Sequence, residues 1–180
     1  MSFTLNVPAG ETIDRADLIA YLNVGTDSAP EWSPFGIRTE ESTIEYDWSE
    51  ETSQDILGNT WTDMKKPKLS QSFDPWKLSG GDKAQEKILN LAIVEQNARA
   101  LTNQDAMIAH FYLTDKGAVA GHFAERYKSC MVKPTGLGGA GGGSIDMPID
   151  VVYGGERIVG DISKGVDGTI TFTPAAASEG

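Results

Sequence analysis

Three glycines, Gly136, Gly138 and Gly141, have the spacing G-x-G-x-x-G, which is typical of loops that bind the pyrophosphate of a dinucleotide. Such a loop works because a helix begins directly after it, and the N–H groups of that helix N-terminus bind the phosphates. Here the next residues, SIDMPIDVVY, alternate like a strand and include Pro148, and no Lys-Ser/Thr pair follows. The glycines therefore indicate a flexible loop, and the sequence predicts no nucleotide cofactor.

Two histidines and the single cysteine are the best candidates for metal ligands. His110 lies inside the apolar run MIAHFYL, and a strand-like stretch separates His122 from Cys130. Their spacing matches no recognised zinc site, so packed or surface histidines are favoured. The segments DISKGVDG and LTDKGAVAG lack the alternating oxygen ligands and the final glutamate of a calcium loop. The sequence predicts turns there and no metal.

The nucleophilic and acidic residues form no pattern typical of an active site. The sequence contains neither a G-x-S-x-G elbow nor an H-E-x-x-H helix motif. The carboxylates are numerous, but no two of them are distinguished as an acid and a base. We therefore expect a protein that is not an enzyme.

Composition limits the class of protein further. The chain has 180 residues, 39% of them hydrophobic, which suits one folded domain. No apolar run approaches the roughly 20 residues of a membrane span, and residues 1–17 lack the features of a signal peptide. A single cysteine fits a reducing compartment. The net charge of −11 disfavours attractive binding of nucleic acid.

One helix is predicted, over residues 82–96. Asp82 is a favourable N-cap, and Gln85 stands three residues later, as in a capping box. Apolar residues recur at helical spacing, so we expect the helix to pack on a sheet and its second half to be largely buried. The apolar positions are Ala84, Ile88, Leu89, Leu91, Ala92, Ile93 and Val94.

The rest of the chain has the texture of strands and loops. Strands are predicted over 16–24, 41–48, 68–73, 107–113, 118–133, 145–153, 157–163 and 168–173. Residues 49–67 are predicted to be a long loop at the tip of a hairpin, and loops of this length usually carry function. The fold class is mainly β, a β-sandwich or barrel-like body with one flanking helix. Of the four tryptophans, Trp48 and Trp76 are expected in the core, whereas Trp32 and Trp61 are expected at a surface contact.

The order of these elements resembles that of phage tail tube proteins, also called major tail proteins. The resemblance covers residues 14–173 and rests on YLNVGT, FDPWKL, the capped helix, MIAHFYL and above all DMPIDVVYGGERIVGDI. It implies a single domain over 1–180 whose copies form hexameric rings that stack into a hollow tube for double-stranded DNA. Loop 49–67 would then reach the neighbouring ring, and the N-terminal arm 1–15 and the C-terminal tail 174–180 would join subunits.

The resemblance also implies partners, a location and site residues. The partners would be further copies, the tail tip or baseplate, a tape measure and a tail terminator, but no membrane. The location would be the virion tail, assembled in the host bacterial cytoplasm. Acidic residues on alternating strands would line the lumen so that DNA slides through without specific binding: Glu45 and Asp47, or Asp146 and Asp150. Burial of apolar residues would dominate the contact between rings, with weak charge pairs beside it: Asp55, Ile56, Leu57, Trp61, Lys65 and Lys66.

Two alternatives stay open at this point. The chain could form the inner tube of a contractile tail or of a related secretion system, which shares the architecture. It could instead be a monomeric β-sandwich module that binds a glycan, which requires tryptophan rings on one accessible platform.

Overall fold

The computed structural model describes residues 3–115 and 121–175. Strands account for 46% of the chain and helices for 11%, which confirms the mainly β fold class. Twelve strands are present in the described residues: β1 Phe3–Leu5, β2 Leu18–Asn23, β3 Trp32–Pro34, β4 Ile44–Asp47, β5 Glu50–Gln54, β6 Thr60–Met64, β7 Lys68–Phe73, β8 Gln104–Asp115, β9 His122–Pro134, β10 Ile149–Tyr153, β11 Arg157–Lys164 and β12 Ile170–Pro174.

One long strand, β9, joins the two halves of the main sheet. Its first half pairs with β8 on one side and β11 on the other, and its second half pairs with β10. The path of antiparallel strands runs β3-β2-β8-β9-β10-β7-β4, with β11 and β12 attached beside β9. The apolar run MIAHFYL is central, as predicted, because β8 lies between β2 and β9.

Alternate side chains of the strands point to one face of the sheet and form the main core there. On β10, Ile149, Val151 and Tyr153 are buried, and Leu69 and Phe73 of the neighbouring strand β7 are buried beside them on the same face. A smaller cluster on the opposite face of β8 and β9 contains Met107, Ala109, Ala124 and Ile162. The register shifts between β8 and β9 at Gln104/Ala106, so Tyr127, Cys130 and Val132 all face the main core. Met131 is accordingly only partly buried and is not part of this core.

The helix begins as predicted but ends differently. Helix α1 spans Lys83–Leu89, and the Asp82 carboxylate accepts from the N–H groups of Ala84 and Gln85. The Gln85 side chain bonds Lys77 and Ser79 instead of completing a capping box. Ala84 and Ile88 are fully buried against the sheet.

The second half of the predicted helix is not buried. Residues Asn90–Val94 form a π-helical segment, and a short helix α2 follows at Ala98–Leu101. The wider π turn rotates later side chains off the apolar stripe of α1. Ile93 and Val94 are consequently exposed, Leu91 is only partly buried, and Leu89 packs on the core in its place.

Parts of the two predicted terminal arms, 3–15 and 174–175, lie within the described residues. Phe3–Leu5 form a strand on the outer end of β8, and residues 6–15 then run over the surface. Pro174 ends β12, and the last five residues of the predicted tail lie outside the described residues. No helix of the described residues is long and apolar enough to span a membrane.

Candidate assembly surface

Residues 49–67 form a second hairpin that continues the first. Strands β4 and β7 pair as predicted, from Ile44 opposite Gln71 to Asp47 opposite Lys68. Within the predicted long hairpin loop, β5 and β6 also pair with each other, from Glu50 opposite Met64 to Gln54 opposite Thr60. These two strands form a sheet of their own, separate from the main sheet. We call Glu50–Met64 the projecting hairpin.

A bulge joins the projecting hairpin to the body. The register changes by one residue between the two ladders, and Ser49 takes the left-handed φ of 46°. Across the bulge, the Lys65 N–H donates to the Trp48 carbonyl at 3.1 Å. Bulges increase strand twist and redirect the chain, so this one sets the direction of the projecting hairpin.

The tip of the projecting hairpin is ordered by its own hydrogen bonds. The Asp55 N–H donates to the Asn59 carbonyl at 2.9 Å, and the Gly58 N–H donates to the Asp55 carbonyl at 3.1 Å. The Asp55 carboxylate accepts from the N–H groups of Leu57 and Asn59 and from the Asn59 side chain. The Asn59 bonds, from its side chain and then its backbone, hold the pKa of Asp55 below its ordinary value. Asp55 thus organises the turn as an anion.

This turn presents apolar side chains to solvent. The exposed fraction is 103% at Ile56 and 80% at Leu57, and Trp61 and Met64 on β6 are also exposed. The backbone that carries them is already fixed, so binding through this tip would lose little conformational entropy. The structure therefore brings the predicted contact residues Asp55, Ile56, Leu57 and Trp61 together on one element.

The two predicted basic contact residues lie at the base of this hairpin. Lys65 pairs with Glu51 of the same chain at 3.5 Å, and both side chains are more than two-thirds exposed. Lys66 is exposed within the bulge. An exposed pair contributes typically below about 1 kcal/mol, so these charges are secondary to the apolar tip.

Three of the four predicted lumen residues share one face. Glu45, Asp47 and Asp150 lie on the outer face of the β4-β7-β10 sheet. Lys133 approaches Asp150 at 3.3 Å, and Asp47 stands opposite Lys68, so this face is mixed in charge. Asp146 lies apart from it, in isolated bridges with Lys77 and Gly138 before β10.

His110 belongs to a buried network and has no partner typical of a metal site. Its ring nitrogens bond the Tyr112 hydroxyl at 2.8 Å and the Glu125 carboxylate at 3.0 Å. Glu125 also accepts from Tyr127 and from Arg157 on β11. Burial alone would raise the pKa of Glu125, but these hydrogen bonds lower it to about 2. Among the described residues no group of three His, Cys, Asp or Glu is placed to hold a metal.

The positions of the tryptophans and of the glycine loop can also be compared with the predictions. Trp76 is fully buried and Trp61 exposed, as expected. The expectations for Trp32 and Trp48 are wrong, because Trp32 is buried and Trp48 stacks on Tyr46 in partial solvent exposure. Residues 135–145 form an exposed loop before β10, with no helix after it to bind a phosphate.

Two further exposed residues were missed by the sequence arguments. Met64 is 62% exposed on β6, and TWTDM has no apolar alternation that would have marked it. Val166 is 112% exposed at the tip of the β11–β12 hairpin, within a segment interpreted only as a turn. Nothing in a short turn sequence distinguishes an exposed valine from a buried one.

No protein-family model and no curated protein matches the sequence. Solved structures that the chain is similar to include the following three. A chain of the sheath–tube complex of an extracellular contractile injection system (PVC) has a TM-score of 0.46 and 10% identity, covering 85% of this chain and 94% of its own. A chain of the sheath/tube terminator of the same system has a TM-score of 0.49 and 12% identity, with coverages of 84% and 99%. The tube-terminating cap of the anti-feeding prophage has a TM-score of 0.45 and 14% identity, with coverages of 94% and 96%. These values are too low to transfer residue roles, so the function must follow from the chain's own geometry.

Proposed function

We propose that this chain is the subunit of a tail tube, a structural protein that binds copies of itself. Its copies form stacked, hexameric rings around a lumen through which double-stranded DNA passes. The observation that carries this proposal is the projecting hairpin, whose ordered turn exposes Ile56 and Leu57 almost completely. A contact element of this kind has a use when a second molecule covers it.

The size of the tip argues for a ring over an isolated pair. Burying an aliphatic side chain contributes about 1.5–3 kcal/mol, so two of them contribute roughly 3–6 kcal/mol. Association costs about 4–15 kcal/mol in lost translational and rotational freedom. One tip therefore does not hold two monomers together firmly. Several tips acting at once between two rings do, because the later contacts form at high effective concentration.

The remaining parts of the proposal concern the partners and the location of the assembled tube. The tube would meet a tail tip or baseplate, a tape measure and a tail terminator, would be assembled in the host bacterial cytoplasm, and would reside in the virion tail. The inner tube of a contractile tail or of a related secretion system is the nearest alternative and shares this architecture. Binding to a sheath protein, measured with assembled tubes, separates the two alternatives.

The test compares the tips of two hairpins that have the same type of turn. The double variant Ile56→Ser/Leu57→Ser keeps Asp55, Gly58 and Asn59, so the turn persists while the apolar surface is removed. The matched control is Val166→Ser, which removes an equally exposed apolar side chain from the other hairpin. Each protein is examined by negative-stain electron microscopy, sedimentation and circular dichroism on the same preparation.

We expect hollow tubes or rings from the unmodified protein and from Val166→Ser, and folded monomers from the double variant. A uniform monomer at high concentration in the unmodified protein would refute a tube subunit. Normal tubes from the double variant would remove the projecting hairpin from the contact while leaving self-assembly intact.

A further inference from the structure

The main sheet leaves a seam between β2 and β4. The path of paired strands ends at β3 on one side and at β4 on the other. Strand β3 covers only Tyr21–Asn23 of β2, so in the described residues no strand pairs with Leu18–Ala20 on this side. Leu18 of β2 and Ile44 of β4 line one groove, so the two edges lie on either side of it.

Arg15 spans this seam. Its guanidinium donates to the Leu18 carbonyl at the edge of β2 and, at 2.9 Å, to the Ser42 carbonyl just before β4. A guanidinium has five N–H donors, and these two bonds leave others available for a carboxylate. Arg15 is exposed, so a second molecule can reach it.

A groove follows the seam on both sides of Arg15. One part has a volume of about 280 Å³, and an adjoining part of about 250 Å³ shares Arg15, Leu18 and Ser42. The walls of the larger part carry Leu18, Ile44, Tyr46 and Tyr112, which are partly buried or partly exposed. We call this larger part the seam groove.

The chain's own projecting hairpin does not occupy the seam groove. Ile56 and Leu57 are almost fully exposed, and β5 and β6 belong to a sheet separate from the body. Five-residue strands of about 3.3 Å per residue place the tip roughly 17 Å beyond the bulge. A tip can therefore enter a seam groove only if it comes from another copy.

We infer that the seam groove of one copy receives the projecting hairpin of the next copy, with Ile56 and Leu57 among its apolar walls and Asp55 facing Arg15. The charges favour this orientation. Asp55 is the only charged residue of the turn 55–59, and Arg15 is the only arginine or lysine that lines the groove. Glu40 lines the adjoining part and would repel Asp55 in the reverse orientation.

The inference rests on the proposed function and adds the receiving surface. Tip and groove are different parts of the molecule, so each copy offers one of each. A heterologous contact of this kind extends without limit unless a rotation closes it, whereas a self-complementary contact stops at two copies. The geometry thus agrees with repeated addition of subunits.

Disulfide trapping tests the pairing. The variant Leu57→Cys/Thr43→Cys places one thiol at the tip and one on the wall of the groove, where Thr43 is exposed. The matched control, Leu57→Cys/Val152→Cys, places the second thiol on the outer face of β10, away from the groove. Cys130 is fully buried and does not compete. Assembled tubes are oxidised mildly and run on a denaturing gel without reductant.

We expect a ladder of dimers, trimers and longer chains from Leu57→Cys/Thr43→Cys, and monomers from the control. Intact tubes with equal cross-linking in both variants, or with none at Thr43, would overturn the inference and leave the proposed function standing. A product that stops at dimers would indicate a self-complementary contact and would also overturn it. If the unmodified protein forms no tubes, both proposals fail together.

Discussion

Two hairpins of this protein end in the same turn but have different surroundings. In the projecting hairpin, Asp55 and Asn59 bracket the turn, and Gly58 has a φ of 84°. In the hairpin Arg157–Pro174, which we call the packed hairpin, the Gly165 N–H donates to the Thr169 carbonyl, and Gly168 has a φ of 85°. Both turns expose a β-branched apolar side chain at their second position, Ile56 or Val166. The turns alone therefore do not distinguish the two elements.

The strands below the turns make the difference. The packed hairpin pairs along β9, and Ile162 and Phe172 enter the smaller apolar cluster. The projecting hairpin pairs only with itself, and none of its residues is buried. An isolated two-stranded hairpin is marginally stable in water. The body of the subunit thus stabilises the packed hairpin, whereas the projecting hairpin has no such support within the described residues.

The largest expected effect comes from truncating an isoleucine in each hairpin. Ile162→Ala should lower the free energy of unfolding by about 2–5 kcal/mol, because Ile162 is fully buried and leaves a cavity. Ile56→Ala should change it by less than about 0.5 kcal/mol, because its side chain is already in solvent. Urea denaturation of both variants measures the difference. Equal losses would mean that the projecting hairpin packs on the body.

Acid should weaken the packed hairpin at its first residue. Arg157 of β11 donates to Glu125 at 2.6 Å, and hydrogen bonds with Arg157, His110 and Tyr127 overcome burial and lower the pKa of Glu125 from 4.5 to about 2. A depressed pKa stabilises the fold above about pH 4.5, and this contribution is lost as the pH falls toward 2. Its size is on the order of 3 kcal/mol.

The matched variant Glu125→Gln should be less stable at pH 6 and should lose less stability between pH 4.5 and 2. Denaturant midpoints at several pH values give both slopes. Parallel curves for the variant and the unmodified protein would show that another carboxylate is responsible. The pKa of Asp55 is lowered too, but Asp55 bonds only residues of its own turn, so its protonation should loosen only that turn.

A smaller effect is expected at the two turn glycines. Alanine at a left-handed φ costs about 1–2 kcal/mol, and neither glycine has a close neighbour that would add a clash. Gly168→Ala should lower global stability by this amount, because its hairpin unfolds with the body. Gly58→Ala should leave the global midpoint unchanged and speed hydrogen exchange of the projecting hairpin. An equal shift of both midpoints would mean that the two hairpins unfold as one unit.

The smallest effect is expected at Lys65. Its pair with Glu51 is exposed at 3.5 Å, so Lys65→Ala should change monomer stability by less than about 0.5 kcal/mol. Assembly of this variant, followed by light scattering at low and high salt, should differ little from that of the unmodified protein. A large loss of assembly at low salt alone would show that Lys65 bridges neighbouring subunits.

The sequence predicted those elements whose burial produces a pattern. Alternation from Met147 to Tyr153, the N-cap at Asp82 and the apolar run of β8 all correspond to what the structure contains. The strands of the projecting hairpin were not predicted because both of its faces are exposed to solvent, so their sequences show no apolar period. Ile93 and Val94 were misplaced because the predicted stripe assumed an unbroken α-helix, which the π turn interrupts.

The residues of the candidate site also differ in whether the sequence alone could select them. Local sequence was enough to select Ile56, Leu57 and Trp61, because apolar residues in a charged and polar stretch are conspicuous. The seam groove depends on residues far apart in sequence, Arg15, Ser42 and Tyr112, which only the folded sheet brings together. Charge alternation selected Glu45 and Asp47, but the lysines beside that face come from other strands.

The pairing of β1 with the far end of β8 has a consequence for the order of events on the ribosome. Phe3 pairs with Asp115, so the first strand waits until more than a hundred further residues have been made. At about 5–20 residues per second this takes roughly 6–22 s. Residues 50–64 are complete long before that, and a hairpin of this size forms within about 1–10 μs but is only marginally stable alone. Each nascent chain therefore exposes Ile56 and Leu57 for seconds before its body closes, so polysomes making this protein bring several such apolar segments close together.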